Sequence, residues 1–204
     1  TQLMARERGL HVEEEEFNSL MDEQKKKAKE SGKFINDSNK VQWIQVSDGI
    51  ESEFVGYSTH ISHSRIRKYA ENNETLLVVL DKTPFYAESG GQVGDVGIIK
   101  GSSGELKVLD VKKDNETHIH YCSGELDNLE EELECMVDNQ HRNSVKNNHT
   151  ATHLMHKALK KVLGDHVNQA GSLVHPEYLR FDFTHFEKIS QDEIINIEKI
   201  VNQQ

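Results

Sequence analysis

Two histidines four residues apart, His149 and His153 in NHTATHLMHKALKKVLG (148–164), have the clearest capacity for chemistry in this sequence. On a helix, positions i and i+4 share one face, and imidazole suits zinc. The pair is therefore a metal clip that needs at least one more ligand. His156, three residues on, falls on an adjacent face and is poorly placed to complete a tetrahedron with the first two. No Glu follows His149, which removes the HExxH metalloprotease pattern and its general base. Spacing by itself is equally met by two polar histidines on a solvated helix, in a chain with twelve histidines. Cys122 and Cys135 stand as further ligands only if the fold brings them close.

A second constellation is DKTPFYAESGGQVGDVG (81–97). Pro84 fixes the exit from a strand, and Gly90, Gly91 and Gly94 permit positive φ or close approach of another backbone. Gln92 and Asp95 sit among those glycines. Neither GxxxxGK[ST] nor GxGxxG is present, so a phosphate-cradling loop is not indicated. A tight β-turn with a bulge accounts for the glycines equally well. The third feature is Gln169, just beyond the histidine helix, whose neutral amide could hold a carbonyl or an amine.

These side chains need elements to carry them. Residues 12–32 read as a helix, with Glu13 to Glu16 in its first turn, a lysine cluster at its end and Gly32 beyond, an order that complements the helix dipole. From 41 to 138 the pattern is of short runs rich in β-branched and aromatic residues: VQWIQV, EFVGY, TLLVVL, GDVGIIK, ELKVLDVK, THIHYC and ECMVD, with HISHSRIRKY as one longer strand. Only TLLVVL looks buried on both faces. From 139 the period returns to 3.6, with Ala151, Leu154, Ala158, Leu159 and Val162 in one stripe and Gly164 closing the helix. A hairpin over 171–183 follows. A capped helix comes next, in which Ser190 and Glu193 form a capping box and Ile194, Ile197, Ile200 and Val201 face inward. The fold class is α+β: a leading helical segment (1–38), an antiparallel β-barrel-like unit (39–138), and an α+β unit (139–204).

The net charge of −11 argues against a broad phosphate-binding footprint. Contact with nucleic acid would use local groups such as Arg65, Arg67, Lys68, Lys157, Lys160 and Lys161. No run of eighteen apolar residues and no secretory leader is present, so a cytoplasmic protein without membrane contact is expected. The two cysteines form no CxxC pair and no disulfide framework. Thr1 in place of Met, and a helical pattern running to the last residues, suit a piece of a longer protein.

Taken together, TPFYAESGGQVGD, the histidine helix and VNQAGSLVHPEYLRFDFTHF closely resemble the editing region of the alanyl-tRNA synthetase family, in the family's order and spacing. The likeness covers about residue 55 onward. It extends more loosely to FNSLMDEQKKKAK, which resembles the end of that family's tRNA-recognition part. The resemblance implies a hydrolytic site that clears serine or glycine wrongly attached to the alanine tRNA, in an α+β unit similar to the threonyl-tRNA synthetase editing domain. It assigns zinc to His149 and His153, a catalytic-pocket role to Gln169, and weaker substrate-binding roles to Thr83 and Gln92. Asp182 would be structural. The family completes its zinc site with a later CxxxH, which does not occur in these 204 residues, so this sequence would supply half a site, bind zinc weakly and lack activity by itself. ATP and magnesium belong to the family's aminoacylation domain, absent from this sequence. The alternatives are a freestanding trans-editing deacylase and a tRNA-binding module with no activity of its own.

Overall fold

The computed structural model describes residues 41–49, 52–72 and 75–203. The helix read over 12–32, and the whole segment 1–38, lie outside the described residues.

Eight strands form one antiparallel sheet in the order β1-β4-β5-β9-β8-β7-β10-β3. They are β1 (Ile44–Gln45), β3 (Ile61–Ser64), β4 (Ile66–Asn72), β5 (Thr75–Leu80), β7 (Gly97–Lys100), β8 (Gly104–Asp114), β9 (Thr117–Leu126) and β10 (Leu133–Val137). The run expected as one long strand is broken at Arg65 into β3 and β4. One ends the sheet, and the other lies next to its opposite end. A single residue thus connects the two ends, and the sheet must curl into a half-barrel to permit it. Asp81 pins this corner: Oδ1 accepts from the Arg65 and Lys82 amides at 2.8 and 2.7 Å. Two departures from the expected strands accompany it. VQWIQV contributes only Ile44 and Gln45, and EFVGY only β2 (Glu53–Phe54), which pairs in parallel with β6 (Lys82–Thr83).

The interior follows the period of two. In β9 it is His118, His120 and Cys122 that point inward; in β8 Leu106 and Val108 do so. A bulge between Val108 and Asp110 then shifts the phase, so that Val111 faces in. The TLLVVL strand is buried from Leu77 to Leu80, as its composition suggested. Ile66, Val78, Leu80, Phe85, Ile99 and Leu133 complete a continuous core.

His120 sits in that core as a fully buried imidazole. Nδ1 donates to the Val78 carbonyl at 2.9 Å, so Nε2 accepts from the Thr83 hydroxyl at 2.8 Å, and that hydroxyl accepts from the Phe85 amide at 3.1 Å. Burial holds the ring neutral and pulls its pKa down to about 4. The unfolded chain binds this proton near 6.5 and the folded chain does not, so stability is complete above about pH 6.5 and declines as pH falls toward 4. We expect acid unfolding to begin in that interval, with a loss of about 3 kcal/mol by pH 4 from this group. Replacing His120 with glutamine removes that part of the pH dependence. Urea melts at pH 7 and pH 4.5 read the effect; parallel pH dependences in the two proteins would refute it.

The second core lies around α1 (Asn139–Leu163) and α2 (Gln191–Asn202). Asp138 caps α1 by accepting from the His141 amide at 3.0 Å, and Gly164 ends it at φ 114°. The α2 capping box forms as read, with both Ser190 and Glu193 engaged. Between the helices, β11 (Gln169–Val174) and β12 (Leu179–Phe183) make the expected hairpin. Ala158, Leu159, Val167 and Ile197 are its buried centre, with Met155, Val162, Phe181 and Phe183 against them. The α2 stripe is narrower than expected: Ile197 is buried, whereas Ile194 lies on the exposed margin. No described helix is long and apolar enough to cross a membrane.

Candidate functional site

The glycine-rich segment delivers Gln92 to the histidine helix. Ser89 and Gln92 exchange backbone hydrogen bonds at 3.1 and 3.0 Å, with Gly90 at φ 61° and Gly91 at φ 84° between them. Positive φ at both central residues is the type I′ hairpin turn. Gly91 has a second constraint, because a Cβ there would overlap the Ser172 carbonyl oxygen. The turn therefore lies directly on β11: Val174 donates to the Gly91 carbonyl at 2.7 Å, and Val93 donates to the Val174 carbonyl at 3.1 Å. A loop of the half-barrel is thus stitched to the hairpin beyond α1, although some eighty residues separate them in sequence.

Gln92 meets His149 at the end of this turn. Its amide oxygen lies 2.7 Å from His149 Nδ1. An amide oxygen only accepts, so Nδ1 carries the proton and Nε2 keeps its lone pair. That Nε2 stands 3.1 Å from His153 Nε2. Two nitrogens on one zinc, each at about 2.0–2.1 Å and a tetrahedral angle apart, stand roughly 3.3 Å from one another. The donor pair thus fits two ligand positions of one ion. An outer hydrogen bond that fixes the ring's tautomer is the usual support for such a ligand. Both imidazoles are exposed, so the site is open to a ligand.

Among the described residues no group of three or more histidine, cysteine or acidic side chains could hold a metal. His156 turns away and packs on Phe181, with ring centroids 5.0 Å apart. The fold decides the question that the sequence left open for the two cysteines: both are buried in the half-barrel core, where burial pushes each thiol up to about 12, and neither joins the histidine pair in a group of three.

Gln169, the first residue of β11, is exposed and donates to Ser172 Oγ at 3.1 Å. Ser172 in turn reaches the Gly90 carbonyl at 3.5 Å. Four sequence-selected side chains, Gln92, His149, His153 and Gln169, are thereby linked in one constellation around the glycine turn. Thr83 is not part of it. Its hydroxyl is fully buried and both its hydrogen bonds are used by His120 and Phe85. Asp182 is exposed on β12 and pairs with Arg180.

Sequence reasoning missed the group that fixes this geometry. Arg142 lies on α1 two turns before His149 and is buried. Its Nε lies 3.1 Å from both Asp95 oxygens, Nη1 donates to the Gly56 carbonyl at 2.8 Å, and Nη2 donates to the Pro84 carbonyl at 2.6 Å and to Asp95. Asp95 also accepts from the Tyr86 amide at 2.6 Å. A charged pair survives burial only when its remaining hydrogen-bond capacity is filled, as it is here. Asp95 stands three residues beyond Gln92, so the clamp holds both the helix and the turn at the point where they meet. An arginine in a polar helical start carries no local sign of this role.

A family profile described as tRNA synthetases class II (A) matches residues 1–167. Alanine–tRNA ligase of Francisella tularensis subsp. novicida (strain U112) is 47% identical over 98% of this chain, which spans 24% of that protein. Alanine–tRNA ligase of Cytophaga hutchinsonii is 45% identical over 99% of the chain and 23% of its own length. The chain therefore spans about a quarter of the length of the curated relatives it matches.

Proposed function

The chain belongs to the tRNA synthetases of class II (A), and on that premise we propose that it is the editing region of a longer alanine–tRNA ligase. In this reading the longer protein attaches alanine to its tRNA with ATP and magnesium, in a part of the molecule other than this one. The present region hydrolyses the ester when serine or glycine has been attached instead. Serine differs from alanine by one hydroxyl and glycine by one methyl, differences that a single binding pocket rejects weakly, so a second, hydrolytic site is needed.

The observation that carries the reading is the meeting of Gln92, His149 and His153, with Gln169 joined to them through Ser172 and the glycine turn. The sequence stretches that resemble the family's editing region are the ones the fold brings together. His149 and His153 would hold a zinc ion, which supplies positive charge beside the substrate when bound. Gln92 holds the His149 proton on Nδ1 and so keeps Nε2 directed outward. Gln169 presents an uncharged amide at the edge of the site, able to donate to the ester carbonyl or accept from the amino group. Water attacks the carbonyl carbon, the bond to the tRNA ribose oxygen breaks, and that oxygen leaves as the hydroxyl. A donor placed where charge develops on the carbonyl oxygen lowers this barrier.

The test is deacylation by the full-length protein of alanine tRNA charged with serine, compared with the same tRNA charged with alanine. Faster release of serine is expected. Equal release at the uncatalysed rate would end the proposal.

A further inference from the structure

An open groove of about 490 Å³ lies at one end of the half-barrel, and none of the residues lining it belongs to the histidine site. We propose that it docks an extended, lysine- or arginine-rich segment of a partner protein. The segment pairs with a free edge of β9 and lays its apolar side chains on the floor of the groove. This occupant is independent of any hydrolysis at the histidine pair.

The edge comes from a mismatch in strand length. β9 runs for ten residues, and β8 pairs along it from Thr117 to Leu126. On its other side β5 meets only His120, Tyr121 and Cys122. The β4–β5 hairpin ends at the Asn72–Thr75 pair, so β9 outruns it. Among the described residues no strand pairs with Ser123–Leu126 on that side. Alternate N–H and C=O groups there form an open row, which is a template for strand addition.

Strand register supplies the floor. Glu71, Leu76 and Cys122 are partners in one row across β4, β5 and β9, and Tyr69, Val78 and His120 are partners in the next. Cross-strand partners share a face, and the buried Cys122 and His120 turn this face toward the core. Leu126 and Leu129 also pack on that core while lining the groove. Gly124 contributes no side chain to fill the space.

Charge selects the occupant. Glu71, Glu125 and Asp127 line the groove, and among the described residues no lysine, arginine or histidine does. None of the three carboxylates makes an ion pair among the described residues. Asp127 accepts from the Ser103 hydroxyl, and Glu71 and Glu125 are exposed. An apolar floor under unpaired carboxylates calls for a ligand that brings apolar surface and positive charge together. Lysine does both, laying its alkyl stem on apolar surface and keeping its ammonium in water at the rim. A phosphate backbone would meet three like charges. A helical segment has its own N–H groups paired and would leave the β9 edge open.

The experiment titrates a seven-residue peptide of alternating lysine and valine, capped at both ends, into the 204-residue chain. Amide shifts and hydrogen exchange are followed by NMR. Shifts should centre on Ser123–Leu126 and Leu76, with slower exchange at the β9 edge. A Glu71→Gln, Glu125→Gln double variant should bind roughly two- to thirtyfold more weakly and with a flatter salt dependence. Both side chains are exposed, so the variant tests the surface without unfolding the protein. The same peptide N-methylated at alternate residues keeps its charge and should lose the binding. No shifts at millimolar peptide, shifts elsewhere, or equal binding by a peptide alternating glutamate and valine would each overturn the groove. Undiminished binding of the N-methylated peptide would overturn strand addition. Shifts at Ser123–Leu126 that grow with protein concentration alone would assign the edge to a second copy of the chain and overturn the partner named here.

Discussion

Arg142→Ala is expected to lower the unfolding free energy of the described unit by about 3–5 kcal/mol, the usual cost of removing one partner from a buried ion pair. The size follows from what the substitution leaves behind. Asp95 would remain buried as a charge with only the Tyr86 amide on it, and the Gly56 and Pro84 carbonyls would lose their Arg142 donors. Asp95→Asn is expected to cost less, because the amide still accepts one bond and Arg142 keeps its two carbonyls. Urea denaturation measures both. A loss below about 1 kcal/mol for Arg142→Ala would mean that the pair is not the clamp described here. The effect should also reach the site. Arg142 and His149 share α1, and Asp95 and Gln92 share one short loop, so a loosened clamp separates His149 from Gln92 before the protein unfolds.

The second large effect concerns the histidine pair itself. In the full-length protein, His149→Ala should reduce release of serine from alanine tRNA by about a hundredfold or more, while attachment of alanine continues. Gln92→Ala should reduce it by roughly ten- to a hundredfold, the range for losing an outer partner that orients a metal ligand. Zinc content separates the two: His149→Ala should lose the ion, and Gln92→Ala should keep it with weakened affinity. Full activity in Gln92→Ala would show that the bond at 2.7 Å does not govern the ring. A protein that edits normally without His149 would remove the pair from the mechanism.

Much of the fold was legible because local rules produce it. The hairpin after the histidine helix, the Gly164 stop and the Ser190–Glu193 capping box each follow from a few adjacent residues. The break at Arg65 was not legible, since HISHSRIRKY has strand composition throughout and only closure of the sheet requires a corner there. The burial of Thr83 was hidden for a related reason: its hydroxyl is used by an imidazole 37 residues away. The inward His120 was equally hidden, because the period of two gives a strand's two faces without saying which one is buried.

The sequence by itself determined the ingredients of the site: two imidazoles on one helical face, a glycine pair able to take positive φ, and an amide just beyond that helix. These are matters of spacing and backbone allowance, and they act within a few residues. Only the tertiary structure decided that the glycine turn lies on β11, that Gln92 reaches His149, and that Arg142 and Asp95 lock the arrangement. Those contacts join residues 47 to more than 80 positions apart. Their formation depends on the half-barrel closing and on buried polar groups finding partners, a condition that the whole fold satisfies and no short stretch can express.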